Sequence, residues 1–136
     1  MKVIVDTDVW SEAFRKQGTK SRSVKELRTL IEEGRVQLIG PIRQEILSGI
    51  RNDSQFEHIQ ESLTAFPDKE IESEVFVLAA KFFNLCRSKG IQGSNTDFLI
   101  CACSSSWGYP ILTKDKDFQA FRKILPCEIL EPRGRN

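Results

Sequence analysis

An α/β fold is what this sequence predicts: a three-layer α/β/α sandwich around a mainly parallel sheet of about four to five strands. Three observations lead there. Short apolar runs at Lys2–Val5, Val36–Ile39, Tyr109–Leu112 and Cys127–Leu130 alternate with longer segments of helical periodicity. The first run is apolar at successive positions from Val3 to Val5, the pattern of a strand covered on both faces. The 136 residues, with no repeat, linker or low-complexity tract, fit one domain over residues 1–136 with a sizeable core, its last few residues fraying from Pro132 onward.

The elements follow in order. After the first strand, a helix is expected near Val9–Lys16, broken at Gly18. Ser21 or Ser23 caps a second helix reaching Glu33, with Val24, Leu27, Leu30 and Ile31 at helical spacing and Gly34 as its stop. Pro41 suits the first turn of a third helix that runs to about Ile50. A fourth spans Asp53 to about Phe66 and halts at Pro67; a fifth, roughly Ile71 to Ser88, ends at Gly90. Ser94 starts a sixth, in which Phe98 to Cys103 leave almost no polar side, so it should be buried all round. The strand Tyr109–Leu112, a short helix around Asp117–Lys123 and the strand Cys127–Leu130 complete the chain.

Composition excludes several classes. A formal net charge of +1 gives no global field toward nucleic acid or membrane, although the Arg15–Arg28 run holds six cations against the single acid Glu26. Such a run is either a solvated face or a set of phosphate contacts. Cys86, Cys101, Cys103 and Cys127 form no C-x-x-C pair, and His58 is the only histidine, which disfavours structural zinc and any serine–histidine or cysteine–histidine catalysis. The cysteines read as small buried hydrophobes of a reduced cytoplasm. Asp6 and Asp8 interrupt any signal-peptide core, and Lys81 and Asn84 break the longest apolar stretch, so a cytoplasmic protein without membrane contact is expected.

The chemistry is carried by acids. VIVDTDVW, Val3 to Trp10, ends a buried strand with Asp6 and Asp8, and ligands of parallel sheets gather at the carboxyl ends of the strands. Pro110 to Phe118 repeats the arrangement with Thr113, Asp115 and Asp117 after an apolar strand. Were these two strands neighbours, their axes would lie about 4.8 Å apart, so that Asp6 and Asp115 share one ion. Asp97 opens the apolar sixth helix, and Glu45 flanks the stripe of Ile42, Ile46 and Ile50. Each acid has a bland alternative: solvated turn residues, an N-cap at Asp115, a capping box from Ser94 to Asp97, a helix edge at Glu45. Taken together, all-oxygen ligands suit magnesium or manganese.

This ordered set resembles the PIN-domain nucleases across essentially the whole chain, and its length is most like that of the VapC toxins of toxin–antitoxin pairs. The resemblance implies a magnesium- or manganese-dependent endoribonuclease, commonly a homodimer, held inactive by a small antitoxin protein. Its acidic positions fall on Asp6, Glu45, Asp97 and Asp115 as catalytic and metal-binding residues, supported by Thr113, Asp117 and Asp8; many relatives carry Asn or Ser where Asp8 stands. Arg15, Lys16, Lys20, Arg22, Lys114 and Lys116 are the expected RNA-backbone contacts. Two other classes compete. A haloacid-dehalogenase-type phosphatase also opens with strand-Asp-x-Asp, but Trp10 departs from its pattern. A non-catalytic receiver-like module wants an acid on a middle strand, but Val36–Ile39 is followed by Gly40-Pro41, and a PIN-like scaffold that binds RNA or a partner without cutting would not need all four acids.

Overall fold

Val3, Ile4 and Val5 have no solvent exposure because they form the central strand, β1 (Val3–Val5), of a parallel sheet. In the computed structural model, which describes residues 1–15 and 21–134, β1 pairs in parallel with β2 (Val36–Gln37) on one side and β3 (Ile111–Leu112) on the other. The strand order is therefore β2-β1-β3. Among the described residues there are three strands, fewer than the sequence suggests. The two remaining edge segments contribute single parallel bridges, Leu38 to Asp68 and Ile111 to Ile129. Cys127–Leu130 is thus not a full strand: Pro126 precedes it, and its ladder is limited to the bonds Ile111 exchanges with Glu128 and Leu130.

Among the described residues, seven helices connect and cover the sheet: α1 (Thr7–Phe14), α2 (Arg22–Glu32), α3 (Gly40–Leu47), α4 (Asp53–Leu63), α5 (Ser73–Ser88), α6 (Asn95–Trp107) and α7 (Asp117–Phe121). Parallel pairing demands such crossovers. α1 begins two residues earlier than its periodicity indicates, because Asp6 ends β1 in an extended conformation and caps the helix immediately. Ser21 caps α2, with its hydroxyl oxygen accepting from the Val24 N–H at 3.1 Å. α6 is apolar all round as expected, with every residue from Phe98 to Ser104 buried. Lys16, Gly18 and Lys20 lie outside the described residues.

One core cluster runs from β1 through α6 to α7. Its aromatic part packs Phe98 tilted against Phe121 at 4.9 Å, with Phe118 edge-on to Phe121 at 5.1 Å. Gly93 lies directly against these rings: a methyl group there would stand 2.7 Å from Phe121 Cζ and 3.0 Å from Phe98 Cε2. Gly93→Ala is accordingly expected to cost about 1–3 kcal/mol through overpacking, read as a lowered denaturant midpoint. An unchanged midpoint would mean that the rings move aside freely.

Pro132 and Arg133 are tied to α2, while residues 135–136 of the segment expected to fray lie outside the described residues. Arg22 Nη2 donates to the Pro132 carbonyl at 2.7 Å. Arg133 meets the buried carboxylate of Glu26 through its backbone N–H at 2.7 Å and its Nε at 2.9 Å, and it also reaches Glu33. Glu26, the lone acid of the basic run, is only 3% exposed, and a charge so buried needs this partner.

Candidate metal centre

The register of the sheet assembles the site. Val5 stands opposite Leu112, so the next residues, Asp6 and Thr113, leave the sheet side by side. The Thr113 hydroxyl donates to Asp6 Oδ2 at 2.8 Å, and the Thr7 N–H donates to Asp6 Oδ1 at 2.7 Å. Thr113 Oγ1 accepts in turn from the Asp115 N–H at 3.0 Å, and Asp115 Oδ1 from the Asp117 N–H at 2.9 Å. A chain of short bonds therefore runs from the end of β1 through the β3–α7 loop.

Asp6 is 7% exposed. Burial is the main reason that its carboxyl is pushed up to about 7, with the neighbouring Asp8 and, more weakly, Asp97 adding to the rise against the Thr113 and Thr7 bonds. Asp8 and Asp97 are raised as well, each chiefly by burial. Asp8 feels the charge of Asp115, and Asp97 that of Asp115 and Glu45. All five acids thus share one electrostatic neighbourhood at the carboxyl edge of the sheet.

Asp97 closes a capping box at the start of α6. The Ser94 hydroxyl oxygen accepts from the Asp97 N–H at 3.0 Å, while Asp97 Oδ2 accepts from the Ser94 N–H at 3.1 Å. Asp115 likewise stabilises the turn into α7 through Asp117, as an N-cap-like residue would. Glu45, exposed on α3, is tied to the start of α1 by the Thr7 hydroxyl, which donates to Glu45 Oε1 at 2.7 Å. The bland and the functional readings are therefore compatible for these side chains.

Thr7 and Glu12 escaped the reading of the sequence. The signal for Thr7 was its place directly after Asp6. Glu12 carried none, because its partner is more than a hundred residues away: Lys114 Nζ lies 2.7 Å from Glu12 Oε1. Of the expected backbone contacts, Arg15 and Lys116 are exposed, Arg22 is exposed and bonded to Pro132, and Lys114 is paired with Glu12.

The donor set fits a hard divalent cation. It is all oxygen, and, among the described residues, Asp8 Oδ1 is buried without a hydrogen-bond partner. Among the described residues, no three acids, cysteines or histidines stand in ligand geometry about one point. Asp6, Asp97 and Asp115 instead direct oxygens at Thr7, Thr113, Ser94 and Asp117. Like charges spread apart in this way, and a carboxylate oxygen with one donor keeps a second lone pair for a metal.

A parallel sheet that gathers acids at its carboxyl edge defines a class, and the chain belongs to the PIN-domain family, whose profile matches residues 3–124. It is 30% identical over 126 residues to VapC ribonuclease Mb1587 of Mycobacterium bovis, an alignment spanning 90% of this chain and 92% of that protein. Ribonuclease VapC11 of Mycobacterium tuberculosis matches to the same extent. Among solved structures, FitAcB of Neisseria gonorrhoeae superposes with a TM-score of 0.77 at 22% identity, covering 96% of this chain and 97% of that one. VapBC2 of Rickettsia felis, bound to a DNA fragment from its promoter, gives 0.76 at 16% identity, covering 96% and 98%. At such identities the likeness is one of fold.

Proposed function

We propose that this chain is a magnesium- or manganese-dependent endoribonuclease, the toxin of a VapBC-type toxin–antitoxin pair. The observation that carries the reading is the convergence of Asp6, Asp8, Asp97, Asp115 and Glu45 on one sheet edge, with the Asp6 carboxyl pushed up to about 7. Membership of the PIN family and relatives named as VapC ribonucleases support it.

Asp6, Asp97 and Asp115 are the residues that would hold the cation, with Glu45 completing the cluster. A divalent ion bound there supplies neutralisation of phosphate charge and acidifies the attacking water. The chain's own groups do the rest. Thr113 and Thr7 fix both oxygens of Asp6, so that this carboxylate is oriented before any ligand arrives. Thr7 holds Glu45 toward the same edge. Asp117 orders Asp115 through the turn into α7. Exposed Arg15 and Lys116 supply backbone contacts with little sequence preference.

A small antitoxin is the proposed inhibitory partner, in keeping with a toxin–antitoxin complex from Klebsiella pneumoniae that shares this fold at a TM-score of 0.65 and 16% identity. A homodimer is proposed through α5. Its inner side, Val75, Ala79, Phe82 and Cys86, is core, whereas Phe76, Val77 and Leu85 are 51%, 56% and 41% exposed. They spread over the outward half of the helix, with Phe76 and Leu85 on opposite sides of it, and offer a second copy separate apolar contacts rather than one patch. No helix of the described residues is long and apolar enough to cross a membrane. A cytoplasmic location is proposed from the RNA substrate of the proposed reaction.

The test sets RNA against a generic aryl phosphate, each with Mg2+, Mn2+ or chelator. Metal-dependent RNA cleavage with no aryl phosphate turnover is the expected result. Aryl phosphate hydrolysis would favour the phosphatase reading, although Trp10 is buried with its indole N–H donating to the Val5 carbonyl, which leaves its place after Asp8 filled by core.

A further inference from the structure

Lys114 lies between Thr113 and Asp115, in the loop that carries the second group of acids, yet its ammonium is turned away to α1. Nζ lies 2.7 Å from Glu12 Oε1, and the Ser21 hydroxyl donates to the same oxygen at 3.0 Å. Ser21 is the N-cap of α2, so Glu12 is held from the far side by a residue whose own geometry is fixed. The Lys114 backbone N–H donates to Asp8 Oδ2 at 3.1 Å. Together with the Thr113 bond to Asp6, this fastens the loop to α1 at Asp6, Asp8 and Glu12, successive points along one helix and its cap.

The geometry points to Glu12 and Lys114 as positioning residues: their ion pair sets the loop so that Asp115 stands in register with Asp6 for cation binding. This rests on the metal reading above. An unlatched loop keeps its tethers at Thr113 and Asp8 but gains freedom at Lys114, the residue next to Asp115, and a ligand that must be ordered on binding lowers affinity. The pair is part-buried, with side-chain exposures of 37% at Lys114 and 14% at Glu12, but Glu12 keeps its Ser21 bond when Lys114 is replaced, so its contribution to global stability is modest. Its effect should therefore fall on the cation and not on folding.

Lys114→Met separates positioning from simple electrostatics. By Coulomb's law alone, deleting a positive charge beside an acidic cluster tightens cation binding. If the pair positions Asp115, the same deletion weakens it. The experiment titrates Mn2+ into the full chain without RNA, by calorimetry, for wild type, Glu12→Gln, Lys114→Met and the exchanged pair Glu12→Lys with Lys114→Glu, recording melting temperatures alongside. Expected are a loss of Mn2+ affinity of about threefold in each single variant, recovery in the exchanged pair, and melting temperatures close to wild type. Unchanged or tighter Mn2+ binding by Lys114→Met overturns the positioning role and leaves the metal site standing. A wild-type protein that takes up no Mn2+ overturns the metal reading and this inference with it.

Discussion

Asp6→Asn is expected to abolish RNA cleavage while raising the melting temperature of the metal-free protein. The first effect follows from the loss of an anionic ligand at the centre of the site, and should exceed about a hundredfold, the scale at which even outer-shell partners of a metal act. The second follows from linkage. The Asp6 carboxyl titrates near 7 in the folded chain against 3.8 as its ordinary value. Between those values the folded protein keeps a proton that the unfolded chain has released, so stability is highest at the acid end and declines as pH rises through the window. Complete ionisation costs at most about 4 kcal/mol, and each 1 kcal/mol recovered moves the melting temperature by roughly 3–6 °C in a chain of this size.

Asparagine avoids that cost and keeps the shape. Its carbonyl can accept from the Thr7 N–H, and its amide can donate to Thr113 Oγ1 once that hydroxyl rotates. Measured in chelator, the melting temperature of wild type should fall from pH 4 to 7, with Asp8 and Asp97 adding to the decline in the same direction. The variant should show a shallower fall and stand above wild type at pH 7.5. A variant that cleaves RNA at the wild-type rate would remove Asp6 from the reaction.

Magnesium or manganese is expected to reverse this loss. A cation that binds the folded chain alone stabilises it by RT ln(1 + [L]/Kd), about 2.7 kcal/mol at a hundredfold excess over Kd. Because the cation needs ionised carboxylates, its effect should grow from pH 6 to 8 in wild type and be blunted in Asp6→Asn. Thermal unfolding at millimolar Mg2+ or Mn2+ measures it. The absence of any shift across that range would count decisively against a carboxylate-held ion.

The order of elements and the edge that carries the acids were legible because both are local signals. Val3–Val5 reads as a doubly covered strand without reference to any other segment, and Ser94 with Asp97 reads as a cap three residues long. The shared edge of Asp6 and Asp115 followed once β1 and β3 were taken as neighbours. What escaped depends on contacts distant in sequence. Glu12 meets Lys114 and Glu26 meets Arg133 across most of the chain, and no spacing rule links them. The last strand shrank to one bridge for a related reason, since strand length at a sheet edge is set by the partner that the segment finds.

Two helices begin at the acidic edge, α1 behind Asp6 and α6 behind Ser94. Aligned peptide dipoles give each of these ends a partial positive charge, worth about 0.3–1 kcal/mol to a nearby anion. This built-in electropositivity tempers the repulsion among the carboxylates. It also persists when a phosphodiester approaches, lowering without cancelling the repulsion that a rim made of acids sets against a polyanion.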